Sequence, residues 1–334
     1  MIRVSAGIIR RKDGCVLICQ RGEGRGNAGL WEFPGGKQEA GESAADCLVR
    51  ELREELSLTV TAPQLLCTRE AQGITFDFLT CDADAEPALT EHAAYAWVRP
   101  RAMLGYAFCP ADADVARALA VNDPPLRHFL WDFDGTLMDT YPATVRVFMD
   151  ACRKLNIPAD AARVLDLMKV NLNHCIRVTA EENGLSFDEM NAAFRLEEKT
   201  IRLDEVPPLP GIPETLRALH AAGGRHYLVT HRDHLAWAYL QEAGLRDLFD
   251  GGTLKEDGLP RKPAPDMVQA VLDRHGIDPA EAIMIGDRPL DTAAGRAAGT
   301  LSLMYDPDLR FPDDPAELRC EDGKELVGML LGKM

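Results

Sequence analysis

Residues 36–58 read GKQEAGESAADCLVRELREELSL. Leu48, Leu52 and Leu56 recur at i, i+4 and i+8, which predicts a helix over 43–57 with one apolar stripe. Ser43, followed three residues on by Asp46, is an N-terminal capping signal in its Asp variant. Glu51, Glu54 and Glu55 fall at i, i+3 and i+4, so their carboxylates share one helical face, away from the leucines. Like charges at that spacing repel by roughly a few tenths of a kcal/mol per pair. Arg50 and Arg53 offset part of this repulsion. A divalent hard cation, which takes oxygen ligands, would offset more. A solvated acidic face laced with arginines has the same spacing, so the period alone leaves both readings open.

The whole string resembles the Nudix box. Gly36, Glu42, Arg50, Glu51, Leu52, Glu54, Glu55 and Leu58 stand at that box's positions, and Ser57 replaces its usual glycine. Position 57 follows a helix C-terminus, where glycine adopts left-handed backbone cheaply, so serine there costs about 1 kcal/mol of strain. The resemblance implies an α/β/α sandwich with a mixed sheet, and Mg2+ or Mn2+ as cofactor. It implies that Glu54 and Glu55 bind metal, that Glu51 binds metal or orients water, that Glu42 holds the loop, and that Arg50 positions a glutamate.

The flanks narrow that resemblance. Leu30–Lys37, LWEFPGGK, is similar to the MutT-like branch, which acts on nucleoside triphosphates. Glu91-His92 ahead of Tyr95-Ala96-Trp97-Val98 resembles that branch's late loop, with Glu91 as a further ligand or base; an exposed strand-edge acid is the plain alternative. Pro110-Ala111-Asp112 resembles the base-reading segment, where CTP pyrophosphohydrolase-like relatives carry Asp. An ionised Asp112 only accepts hydrogen bonds and would favour the exocyclic amine of cytosine or adenine. Equally, Asp112 could cap a helix beginning near 113.

Outward from this core, residues 2–11 and 15–20 around Lys12-Asp13-Gly14 predict a hairpin. Strand-like runs return near 60–68, 73–81 and 93–98, and a helix pattern covers 111–121. Asn122-Asp123-Pro124-Pro125 breaks the chain, which places one domain at 1–124 and a second at 125–334. In the second, a long helical stretch precedes helices that alternate with Tyr227–Val229, Ile283–Ile285 and Leu301–Leu303, which predicts a parallel sheet.

Residues 129–137, FLWDFDGTL, place Asp132 and Asp134 just after a buried strand. Two carboxylates there cost stability unless something binds them. With Thr230 at the end of the next strand, Lys262 before Pro263, and Gly286–Asp291 (GDRPLD), they resemble the four motifs of haloacid-dehalogenase-like (HAD) phosphatases. This implies a Rossmann-like sheet with a small helical cap, here about 141–207. By the resemblance Asp132 is the nucleophile, Asp134 the proton donor and acceptor, and Thr230 and Lys262 hold the phosphoryl oxygens. Mg2+ would sit on Asp132, Asp287 and the Asp134 carbonyl, with Asp291 in support. Dehalogenases lack the second acid. Val145, Phe148, Met149, Cys152 and Leu155 read as the cap's core face, and His174 and Arg177 as candidate substrate contacts.

The 334 residues carry a net charge of -16, which suits neither a nucleic-acid polymer nor an anionic membrane as partner. Small phosphorylated metabolites and nucleotides remain, since a divalent cation bridges carboxylate to phosphate. Nine cysteines without a C-x-x-C pair predict free thiols in the cytoplasm. No apolar run is long enough for a membrane span or secretory leader. Nothing in the sequence fixes an oligomeric state. The economical reading is a bifunctional hydrolase that turns a nucleoside triphosphate into monophosphate and then dephosphorylates it. Two alternatives stand beside it. Segment 210–223, PGIPETLRALHAAG, resembles phosphoglycolate phosphatase and β-phosphoglucomutase relatives, so the HAD half could act independently on phosphoglycolate, a sugar phosphate or pyrophosphate. The Nudix half could also be a nucleotide sensor.

Overall fold

Strand β1 (Ile2–Arg10) shows why the first half folds as it does. Ile8 and Ile9 point to opposite sides, as successive strand residues must, and both are fully buried. A strand apolar on both faces needs a layer on each. The computed structural model describes residues 2–333 and supplies those layers. After β1 come β2 (Val16–Gln20), β3 (Trp31–Glu32), β4 (Gly35–Lys37), α1 (Ala44–Leu56), β5 (Thr61–Ala71), β6 (Ile74–Asp82), β7 (Ala94–Val98) and α2 (Pro110–Val121). The sheet runs β3-β2-β1-β6-β5, with β4 on β1 and β7 on β2. The β1–β6 pair is parallel and its neighbours antiparallel, so the sheet is mixed. Helix α1 buries Leu48, Leu52 and Leu56 against Ile9 and Leu17. On the other face, Val115, Ala116 and Leu119 of α2 meet Ile8, Val16 and Ile18.

Helix α1 begins where its cap predicts, with the Ser43 hydroxyl accepting from the Asp46 amide at 3.1 Å. It ends at Ser57, which is left-handed with φ 54° and ψ 25°. Ser57→Gly should therefore stabilise the protein by about 0.5–1 kcal/mol, read as a higher urea midpoint at unchanged m. An unmoved midpoint would mean that serine pays no conformational cost there.

The second half begins with β8 (His128–Trp131) and then inserts α3 (Tyr141–Lys154), α4 (Ala161–Val170), α5 (Leu172–Glu182) and α6 (Phe187–Glu198). After α7 (Ile212–Ala221) come β9 (Arg225–Val229), α8 (Leu235–Glu242), β10 (Phe249–Thr253), α9 (Asp266–His275), β11 (Ala282–Gly286), α10 (Pro289–Ala297), β12 (Leu301–Tyr305) and β13 (Leu318–Cys320). The short α11 (Leu326–Leu330) follows. The sheet order is β10-β9-β8-β11-β12-β13, parallel throughout. Such a sheet puts the carboxyl ends of its central strands side by side, where ligands bind.

The helical insert has its own core. Val147, Phe148, Ala151 and Cys152 of α3 are fully buried with Phe194 of α6, while Val145, Met149 and Leu155 are only partly buried. The apolar face of α3 is thus rotated from the sequence reading. Strands β10 and β13 also escaped that reading. β10 is FDGGT, a loop-like composition that pairs because β9 offers it a ladder. The chain divides into Met1–Pro125 with Gly328–Met334, and Leu126–Val327. Among the described residues, no helix is long and apolar enough to cross a membrane.

Candidate active sites

In the first unit, a cavity of about 480 Å³ opens between the glycine-rich loop Gly22–Gly29, α1 and the start of α2, with Glu51, Glu55, Glu91 and Asp112 in its wall. Arg50 organises one side. It donates to both oxygens of Glu42 at 2.9 and 3.0 Å, to Glu51 at 2.9 Å and to the Lys37 carbonyl at 3.2 Å. The Arg50 guanidinium, with help from the Glu39 amide, holds the Glu42 carboxyl down at about 2. Glu42 thus ties the loop to the helix. Gly36 allows the close approach of Glu51: a Cβ there would fall 2.2 Å from the Glu51 carboxyl carbon.

The three helix glutamates are not equivalent. Glu51 and Glu55 are 14% and 13% exposed and face the cavity, whereas Glu54 is 61% exposed and turns to Arg50 at 3.3 Å. Burial raises the Glu55 pKa, His92 opposes that, and the Glu51 charge adds to it. Two converging, partly buried carboxylates that repel one another fit a divalent cation. Glu91, across the cavity, pairs with Arg25 of the glycine-rich loop.

Asp112 does not cap α2. The helix starts at Pro110, its N-cap is Cys109, and Asp112 lies inside the first turn. Its Oδ1 accepts instead from the Phe33 amide at 2.9 Å. Burial pushes its carboxyl up to about 7. The folded protein therefore holds this proton more tightly than the unfolded chain, so stability is lost as pH rises from about 4 towards 7. Asp112→Asn should remove that slope. Relative to wild type, the variant should gain about a few kcal/mol between pH 4.5 and 7.5, measured by urea unfolding. A constant difference would show that Asp112 titrates normally.

In the second unit, the strand ends gather the four sequence motifs. Asp132, beyond β8, is 1% exposed and accepts from Lys262 Nζ at 2.7 Å. Lys262 also donates to the Val229 carbonyl at 2.7 Å and makes an ionic contact of 2.6 Å with Asp291. Oxygens of Asp132, Asp287 and Asp291 all lie within 4.8 Å of one another. Asp132 Oδ2 and Asp287 Oδ1 are buried without hydrogen-bond partners. Arg288 approaches them only to 3.5 and 3.6 Å. Burial would raise the Asp132 carboxyl, but Lys262 and Arg288 hold it below the ordinary range. Burial, then the Asp132 charge, push Asp291 up to about 7. Orphaned, crowded carboxylate oxygens of this kind fit a divalent cation. Gly135, with φ 74°, keeps the loop tight, since a Cβ there would lie 2.4 Å from Asp287 Oδ2. Thr230 is fully buried after β9, and its hydroxyl accepts from the Arg232 amide at 3.1 Å.

Sequence reasoning missed several neighbours. Arg232 grips both oxygens of Asp134, at 2.6 Å for the nearer, and Lys169 and Tyr141 both donate to Asp287. Arg232 and Arg288 stand two and one residues beyond motif positions, a signal that was available. Lys169 had none. Of the insert residues singled out, His174 has its amide capped by Asn171, and Arg177 is solvent-exposed.

The model of the NUDIX domain matches residues 1–119, and that of the haloacid dehalogenase-like hydrolase matches 129–305. The chain belongs to both families. Its NUDIX half is 40% identical over 123 residues to the CTP pyrophosphohydrolase of Escherichia coli, covering 35% of this chain and 90% of that protein. Its HAD half is 28% identical over 218 residues to the N-acetylmuramic acid 6-phosphate phosphatase of Pseudomonas aeruginosa, covering 61% of this chain and 95% of that protein. A Thermotoga maritima structure assigned as a beta-phosphoglucomutase shares the HAD fold, with a TM-score of 0.54 at 19% identity over 63% of this chain and 100% of that one. The chain is a hydrolase with a mixed-sheet NUDIX half and a parallel-sheet HAD half.

Proposed function

We propose that the chain is a bifunctional Mg2+-dependent hydrolase of small phosphorylated metabolites. Its NUDIX half cleaves a nucleoside triphosphate to monophosphate and pyrophosphate. Its HAD half hydrolyses a phosphomonoester through an aspartyl-phosphate on Asp132. The observation that carries the HAD reading is the triple contact of Lys262 with Asp132, Val229 and Asp291 beside two orphaned carboxylate oxygens.

Asp132, Asp287 and Asp291 would hold the cation, which supplies charge neutralisation at the phosphoryl group. Asp132 attacks phosphorus as the ester P–O bond breaks, and Asp134, once it has left Arg232 and taken up a proton, gives that proton to the departing oxygen. Asp134 then takes a proton from the water that releases phosphate. Lys262 and Thr230 hold the phosphoryl oxygens. In the NUDIX half, Glu51, Glu54, Glu55 and Glu91 would bind metal or activate water, and Asp112 would face the base. The CTP pyrophosphohydrolase likeness supports a cytosine nucleotide; an adenine or oxidised nucleotide rests on Asp112 as a hydrogen-bond acceptor. The nine free thiols suit the cytoplasm.

The monophosphate product is one substrate for the HAD half, which makes the two reactions sequential. A sugar phosphate is the second reading, favoured by the N-acetylmuramic acid 6-phosphate phosphatase likeness along 95% of that protein. Wild type, Asp132→Asn and Glu51→Gln should be run in parallel on nucleotides, sugar phosphates and phosphoglycolate. The sequential reading expects nucleoside plus phosphate from a triphosphate. Monophosphate left untouched while a sugar phosphate is cleaved would end it in favour of the second.

A further inference from the structure

We propose that Lys169 stands in for the divalent cation on Asp287, and that cation binding hands its ammonium to the anionic substrate. The proposal rests on the phosphatase reading of Asp132, Asp287 and Asp291 given above. Lys169 lies in the last turn of α4, and its side chain is only 11% exposed. Its ammonium donates to Asp287 Oδ2 at 2.7 Å and sits 4.2 Å from the ring centroid of Tyr141. The Tyr141 hydroxyl donates to the same oxygen at 3.1 Å. The other oxygen, Oδ1, is buried without a hydrogen-bond partner beside Asp132 and Asp291. Asp287 thus faces two ways, towards the insert's lysine and into the carboxylate cluster.

A carboxylate buried this deeply ionises only beside a counter-charge, and Lys169 provides one in the cation-free protein. A divalent cation on Asp287 brings a like charge to the same buried group, where repulsion is less screened than in water. Something must then give way. Lys262 is fixed by three oxygens, Arg232 is taken by Asp134, and Arg288 comes no nearer to Asp287 than 3.6 Å, which leaves Lys169 as the ammonium bonded directly to Asp287. Lys169 has a flexible four-carbon stem. The Tyr141 face keeps it close once it leaves Asp287. The phosphomonoester then supplies the negative partner that Lys169 has lost. A residue of the insert would in this way couple cation binding to substrate capture.

The test is Mn2+ titration calorimetry on the full chain, for wild type, Lys169→Met, Lys169→Arg and Asp287→Asn. The component missing in Asp287→Asn reports this site and separates it from the NUDIX half. Lys169→Met should tighten that component about tenfold, and should raise KM for a phosphomonoester about tenfold at saturating Mn2+. Lys169→Arg, which keeps the charge, should stay near wild type in both. Should Met disturb the packing of the insert, seen as a shifted melt, Lys169→Gln repeats the measurement. An unchanged or weaker Mn2+ component, or an unchanged KM, overturns the proposal. Wild-type Mn2+ stoichiometry in Asp287→Asn would instead overturn the phosphatase reading beneath it.

Discussion

Asp132→Asn should lower phosphomonoester hydrolysis by ~10³-fold or more, while pyrophosphate release from nucleoside triphosphates stays at the wild-type rate. The amide is nearly isosteric but cannot attack phosphorus as a carboxylate does. It also removes one of the two negative charges against Lys262. Because Lys262 keeps Asp291 and the Val229 carbonyl, the fold should survive, and a thermal melt should show it. Both activities are measured on the same preparation. Phosphatase activity within tenfold of wild type would remove Asp132 from the reaction. Parallel loss of both activities would point to misfolding.

Glu51→Gln and Glu55→Gln should each lower nucleoside triphosphate cleavage by about 10³-fold, with phosphatase activity unchanged. A cation that neutralises developing charge contributes several kcal/mol, and each 1.36 kcal/mol is tenfold in rate. These two are chosen because they, and not Glu54, turn into the cavity. Direct Mn2+ binding should weaken in parallel. If Mn2+ affinity and rate both persist, the cavity carboxylates are a solvated acidic face after all. Glu54→Gln is the informative companion. A loss as large as that of Glu51→Gln would mean that Glu54 leaves Arg50 when the cation binds.

Much of the fold and site was legible because it is local. Leu48, Leu52 and Leu56 predicted both α1 and its buried stripe, and Asp132 and Asp287 stand just beyond strands that their apolar runs announced. Other features were not legible because composition misled. β10 has two glycines in five residues and reads as a loop until β9 lies beside it. Asp112 looked equally like a cap and a base reader. The helix starting at Pro110 removed the first option, since Cys109 stands at its N-cap and Asp112 accepts from Phe33 instead.

The sequence by itself determined the families and where along the chain the candidate carboxylates stand. Spacing along a helix and position at a strand end are properties of the local backbone, and they survive any packing. Only the tertiary structure decided which cation answers each carboxylate. Lys169 reaches Asp287 across 118 positions, and Arg232 reaches Asp134 across 98. It also decided that Asp112 is driven up to about 7 while Glu42 is held at about 2. Both are carboxylates; burial governs one and Arg50 the other, and what packs over a single polar side chain has no period that a sequence can display.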